Sequence, residues 1–310
     1  MAEIEALIKA LSGHGVDEKT VISILGNSQP EHRQAFRKEG GFFAEDERRF
    51  ERWNDHHVKL LKHEFMRFKN AVVLWAMHPW ERDARLIKEA LKKGPNSNSV
   101  IVEIASTRSS DELLGARKAY HSLFEHSIEE DVASHIHGKE KKLLVALVSA
   151  YRYEGPKIKE DVAKSEAKAL ISAVKNAEKQ NPIENDEVVR ILSTRSKPHL
   201  KSVFKHYKEI AGQHFEDELD VHLILQAAVQ CLITPQSYFS RVLDEAMRDG
   251  ADKNTKKGLT RVLVTRADVD IRAISDDYRN HYAIPLADKI EAKAKGSYKE
   301  FLLTLMARGS

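Results

Sequence analysis

Ile104-Ala105-Ser106-Thr107-Arg108 is followed by Leu113 and, twelve residues after the arginine, by Tyr120. The same offsets recur at Ile191-Leu192-Ser193-Thr194-Arg195, with Leu200 and Tyr207, and at Val262-Leu263-Val264-Thr265-Arg266, with Ile271 and Tyr278. A weaker copy, Ile22-Ser23-Ile24-Leu25-Gly26-Asn27-Ser28, lacks the arginine and the tyrosine. Ser28, Arg108, Arg195 and Arg266 are spaced by 80, 87 and 71 residues. Self-similarity at such a period marks a repeat architecture, so the chain reads as four repeats of roughly 70 to 85 residues.

Each copy carries the same order of parts. An amphipathic helix leads through a loop into a helix that ends near the Thr-Arg. A third helix carries the tyrosine, an acid-rich helix follows, and an apolar helix closes the repeat. The closing helices are Val72 to Met77, Leu143 to Val148, Leu223 to Ile233 and Phe301 to Met306. Apolar runs this dense predict inner, fully packed helices. The Thr-Arg arginines follow apolar segments, so they are expected to be partly buried helix-end anchors with carboxylate or carbonyl partners. The tyrosines are expected in the core. Boundaries fall at Pro79, around Tyr153-Glu154-Gly155-Pro156 and near Thr234-Pro235, which gives repeats 1–78, 79–153, 154–234 and 235–310.

Composition agrees with an all-α chain. Of 310 residues, 42% are apolar and 31% charged, with only 14 glycines and 8 prolines. That is a globular composition rather than a disordered one. A net charge of +3 lends no support to nucleic-acid binding. The single cysteine, Cys231, sits in the apolar run Ala227 to Ile233, allows no intrachain disulfide, and reads as a buried inert thiol. The start, Met1-Ala2-Glu3, lacks the basic and apolar regions of a signal peptide. No apolar window is long enough to span a bilayer. The expected compartment is the cytosol, with any membrane contact peripheral.

The first loop carries its own chemistry. Ile4, Leu7, Ile8 and Leu11 lie at helical spacing and predict a short helix. Gly13-His14-Gly15 stops it, and Asp17 and Glu18 begin a second helix, Lys19 to Leu25. Glycines turn the backbone sharply and let carbonyl oxygens converge, an arrangement suited to a hard cation as well as to a plain turn.

Four helical repeats with a Thr-Arg motif resemble the annexin family, and the likeness covers about residues 3 to 308. Its most specific parts are Ala105 to Ser109 with Ala116 to Tyr120, and Ile191 to Ser196. Val73-Leu74-Trp75-Ala76-Met77-His78-Pro79-Trp80-Glu81-Arg82-Asp83-Ala84 is similar to the plant branch. The resemblance implies an all-α disc, slightly curved, of four repeats with about five helices each. It implies a cytoplasmic protein that binds anionic phospholipid membranes peripherally when calcium rises, not an enzyme. The implied partners are that membrane surface and another annexin or a second copy of the chain. The other reading is a helical-repeat scaffold for protein interactions with a vestigial calcium response.

The resemblance also implies where calcium would sit. The family's principal site takes loop carbonyls from a Lys-Gly-x-Gly-Thr type motif and a carboxylate about 40 residues later, leaving calcium positions open for lipid phosphate. In repeat 1 the carbonyls would be those of Leu11, Gly13 and Gly15, and the carboxylate Glu64, 49 residues after Gly15. The surplus length falls in an insertion, Lys38 to Asp46; Val16 replaces the threonine and Ser12 the basic residue. Repeat 2 has Lys93-Gly94-Pro95-Asn96-Ser97, with His135 at the acidic position. Repeat 3 has Lys179 to Glu184 without glycine, and Asp220-Val221-His222 downstream. Repeat 4 has Gly250 to Lys257, with Lys293 at the acidic position, which argues against calcium there. Lys253, Lys256, Lys257 and Lys293 offer lysine attraction to lipid instead. His14 stands at the loop tip that meets lipid.

Other constellations are set aside. His56, His57 and His63 do not form His-Glu-x-x-His, since Arg67 stands at the last position. No phosphate-binding glycine loop and no haem or redox thiol pattern is present. Asp83, Arg108 and Arg266 match polar central-channel positions of the family, with Leu86 in place of an acid, and read as buried structural ion pairs.

Overall fold

Burial of one face at helical spacing organises the chain. The structure is a computed structural model describing residues 2–12, 16–39, 43–45, 51–53, 55–56, 58–59, 68, 70–219 and 222–309. The first helices are α1 (Ala2–Ser12), α2 (Glu18–Leu25) and α3 (Pro30–Glu39), then a ribbon of β1 (Phe43–Glu45) and β2 (Glu51–Trp53), α4 (Ala71–Ala76) and α5 (Pro79–Lys93). Next come α6 (Asn98–Thr107), α7 (Ser110–Phe124), α8 (Ile128–His135), α9 (Lys141–Val148), α10 (Glu160–Lys175), α11 (Asp186–Thr194), α12 (Lys197–Ala211) and α13 (Leu223–Ile233). The chain closes with α14 (Pro235–Met247), α15 (Lys253–Arg266), α16 (Ile271–Tyr282), α17 (Leu286–Lys293) and α18 (Gly296–Ala307). The fold is all-α apart from the ribbon.

Two compact units form, one of residues 1–82 with 236–310 and one of 83–235. In the first, the core joins Leu7, Val21, Leu25, Phe36, Trp53, Val72, Val73 and Trp75 to Val264, Phe301 and Leu305. Helix α1 turns Leu7 and Ala10 inward and leaves Ile8 38% exposed, so the buried stripe is rotated from the Ile4-Leu7-Ile8-Leu11 face. The insertion expected from Lys38 to Asp46 holds β1, which pairs antiparallel with β2 beyond it, Phe43 opposite Trp53. Trp53 is buried and its amide donates to the buried Glu81 carboxylate at 2.9 Å.

In the second unit α10 packs along α12 and α6 along α13. Ser109 and Ser127 open α7 and α8 with full capping boxes to Glu112 and Glu130, satisfying amides that the first turn leaves without partners. The dense apolar helices are inner ones, as their composition predicts: Leu143, Leu144, Leu147 and Val148 of α9 and Leu225, Ala228, Val229 and Leu232 of α13 are buried. In the first unit Val72, Val73, Phe301 and Leu302 are buried likewise.

The repeated arginine and tyrosine take equivalent roles. Arg108 and Arg195 cap the C-termini of α6 and α11, and Arg266 ends α15. Tyr120, Tyr207 and Tyr278 are fully buried. Their hydroxyls donate to Asp131, to Glu218 at 2.8 Å and to Asp244 at 3.1 Å. Burial first, then the adjacent carboxylate, pushes each phenol well above its ordinary range.

Candidate functional site

The loops between the first two helices of each repeat, and the residues about 40 positions downstream, are where the sequence places membrane chemistry. In repeat 1, Gly13, His14, Gly15 and Glu64 lie outside the described residues. The flanks are described. Leu11 and Val16 pack against the core, and the Asp17 amide donates to the Ala10 carbonyl at 3.1 Å. Asp17 caps α2, its carboxylate accepting from the Thr20 amide at 3.2 Å and hydroxyl at 2.7 Å. Glu18 accepts from the Ser297 hydroxyl. Both acids beside this loop therefore hold structure.

In repeat 2, Gly94 turns the chain at φ +81°, a conformation a side chain would strain, and Pro95–Ser97 form a short 3-10 turn. The Gly94 carbonyl accepts from the Ser97 amide at 2.9 Å. The downstream carboxylate that reaches this loop is Glu140, which accepts from the Asn98 side-chain amide at 3.1 Å. His135, the aligned position, instead has Nδ1 2.8 Å from the Asp131 carbonyl at the end of α8. The signal that identifies Glu140 is spatial, since it stands five residues past the aligned position.

In repeat 3, the Asn181 side chain accepts from the Ile183 amide at 3.1 Å and Asn185 caps α11. Lys142 donates to the Glu184 carbonyl at 3.4 Å and pairs with Asp186. Asp220 and Val221 lie outside the described residues; at His222, burial first and Lys139 second push the imidazole below its ordinary range.

The loop of repeat 4 is described throughout. Gly250 turns at φ +80° and the Ala251 amide donates to the Arg248 carbonyl at 3.2 Å. Asp252 caps α15, accepting from the Asn254 and Thr255 amides at 2.7 and 3.2 Å and from the Thr255 hydroxyl at 2.5 Å. Lys253, Lys256 and Lys257 are exposed on the first turn and a half of α15. Lys293 ends α17 and places its ammonium 2.6 Å from Asp249. An ammonium aimed into the loop does not fit a calcium ion there, because two cations would share one place. Among the described residues no group of three His, Cys, Asp or Glu side chains is set to hold a metal ion.

The channel-like positions are occupied by ion pairs. Arg108 grips Asp83 through Nε at 2.7 Å and Nη2 at 2.8 Å, both residues buried. Burial alone would lower the Arg108 guanidinium's pKa; Asp83, with Glu103 and Glu112, raises it above its ordinary value. Arg266 grips Asp270 at 2.7 and 2.6 Å and lies over the Phe239 ring. Leu86 is buried.

A family model described as Annexin matches residues 82–147, 167–223 and 238–305. Annexin D4 of Arabidopsis thaliana is 55% identical over 313 residues, covering 99% of this chain and 98% of that protein. Annexin Gh1 of Gossypium hirsutum is 40% identical, with 98% and 94% covered. Among solved structures, annexin III superposes with a TM-score of 0.85 at 27% identity, covering 100% of this chain and 93% of that one. Chicken annexin V in complex with Zn2+ gives 0.80 at 29% identity, with 100% and 95% covered. Among the described residues no helix is long and apolar enough to cross a membrane.

Proposed function

This chain belongs to the annexin family, whose fold and membership point to calcium-dependent phospholipid binding, and on that premise we propose how its own residues divide the task. Repeat 1 binds calcium through the Leu11, Gly13 and Gly15 carbonyls and the Glu64 carboxylate, and the ion's remaining positions take lipid phosphate. Repeat 4 adds Lys253, Lys256, Lys257 and Lys293 as attraction to the anionic surface, and His14 stands at the contacting tip. The repeats run 1–78, 79–153, 154–234 and 235–310, and the protein is a cytoplasmic one that reaches membranes peripherally, without enzymatic chemistry of its own. A second annexin, or another copy of this chain, is a further partner on the same surface.

The observation that carries this division is how the other three loops are closed. Repeat 2 is bridged by Asn98 to Glu140, repeat 3 by Lys142 to Glu184 and Asp186, and repeat 4 by Lys293 to Asp249. Side chains of the protein already engage these three loops, and repeat 1 carries the glycine pair, whose freedom to turn lets carbonyl oxygens converge. Calcium bound there would supply a hard cation that holds loop and lipid oxygens together.

Co-sedimentation with anionic vesicles tests the reading. Wild type is expected to pellet with calcium and to remain largely in solution with chelator at physiological salt, and Glu64→Gln to lose most of the calcium-dependent fraction. Equal pelleting in calcium and chelator at physiological salt would overturn the calcium bridge. Absence of pelleting in both would point to the scaffold reading.

A further inference from the structure

Asp249 is an exposed carboxylate paired with a lysine. Lys293 donates to it at 2.6 Å across 44 residues of sequence. Lys289 lies one turn before Lys293 on α17, at the i, i+4 spacing that puts two side chains on one helix face. Lys256 stands on the opening turn of α15, four residues after its cap, Asp252. The Lys293 hydrogen bond first, then the charges of Lys293, Lys289 and Lys256, hold the Asp249 carboxyl below its ordinary range. The neighbouring Asp252 is tied to the start of α15, where its oxygens accept from the Asn254 and Thr255 amides and the Thr255 hydroxyl.

We infer that Lys256, Lys289 and Lys293 form a calcium-independent docking point for the phosphate of an anionic lipid, and that Asp249 occupies it as an internal competitor. The inference deepens the membrane reading above and rests on it. Lys293 pairs with Asp249, and Lys256 and Lys289 add their charge to the same carboxylate, so lysine outnumbers the carboxylate it meets. A dianionic phosphomonoester matches that surplus better than the carboxylate does, and lysine serves phosphate as a point charge. Asp249 is also easy to displace. Its side chain is 95% exposed on a turn, and an ion pair so open to water is held weakly. The surplus continues onto Lys253 and Lys257, one turn of the same helix, so the positive patch is wider than one phosphate. A charged surface, rather than a small soluble anion, is the occupant that matches this extent.

The test uses the full chain in chelator at low salt, with vesicles of phosphatidylcholine containing phosphatidic acid. Asp249→Asn removes the competitor and is expected to strengthen binding roughly fivefold, the effect of about one charge near an anionic surface. The Lys256→Gln/Lys289→Gln pair is expected to weaken it more than tenfold. Unchanged or weaker binding by Asp249→Asn overturns the role of Asp249, and unchanged binding by the lysine pair overturns the site. Inorganic phosphate at matched phosphate concentration is expected to compete poorly; full competition would overturn the lipid surface as occupant. Calcium-dependent pelleting of wild type, measured alongside, separates the two ideas. If it fails, the membrane reading fails; if it holds while these variants behave as wild type in chelator, only this inference fails.

Discussion

Arg108, Arg195 and Arg266 stand at one register in three repeats, yet each finds its carboxylate at a different place in the chain. Arg108 takes Asp83, Arg195 takes Glu166 and Arg266 takes Asp270. Removing one member of a fully buried pair leaves the other charge stranded, which costs about 3–5 kcal/mol. Arg108→Ala should therefore lower stability by that amount in a urea titration. Arg195 is 35% exposed, and Glu166 keeps Arg190 and His199, so Arg195→Ala should cost distinctly less. Equal losses would show that the Asp83 pair is not the stronger anchor. Glu166 also makes a pH prediction. Burial alone would raise its carboxyl, but hydrogen bonds from Arg195, Arg190 and His199 outweigh it and leave the folded value below the ordinary one. A depressed carboxyl contributes stability above the unfolded value of about 4.3, and that contribution is lost as pH falls through the folded value. Glu166→Gln should therefore flatten the acid limb of the stability profile while lowering stability at neutral pH. An unchanged acid limb would exclude Glu166 as a source of it.

At the scale of elements, local chemistry decides the helix starts, and long-range contact decides what packs on them. Ser109 with Glu112 is a capping box visible as a four-residue pattern; Ser109→Ala should cost about 1 kcal/mol, read by thermal denaturation. The ribbon is the opposite case. Strands of three residues carry too little alternation to be seen, so Lys38 to Asp46 reads only as surplus length. Its anchor, Trp53, joins the core that contains Leu7, Val21 and Phe36. Trp53→Ala should destabilise the protein by about 3–5 kcal/mol, as expected for a large buried aromatic. A loss below about 1 kcal/mol would mean the ribbon is a surface appendage. The rotated face of α1 has a related cause: Ala10 packs as well as a larger residue where neighbours come close, and periodicity alone ranks Ile8 above it. The clamps across the loops were illegible for a plain reason. Glu140 with Asn98 and Lys293 with Asp249 join residues 42 and 44 apart, and nothing local in the sequence links the two members of either pair.

At the scale of the whole molecule, the fold was legible because its marks are spread over the full length. Tyrosine and Thr-Arg recur at fixed offsets, and each repeat corroborates the others. The glycine pair to which the proposal assigns calcium has no such redundancy, since it occurs once, and on that proposal this has a consequence for binding. Several calcium loops acting together on one surface produce steep calcium dependence through avidity. One loop produces a simple hyperbola. On the proposed division, a calcium titration of vesicle binding should therefore show a Hill slope near one, abolished in Glu64→Gln. Raising salt from about 0.1 M to about 1 M shortens the Debye length from about 10 Å to about 3 Å. The lysine contribution of repeat 4 should then fade and binding weaken, while the slope against calcium stays the same, because coordination to oxygen is screened far less than attraction at a distance. A slope of about two or more in either salt would require a second loop to take up calcium, and would overturn the assignment of the ion to repeat 1 alone.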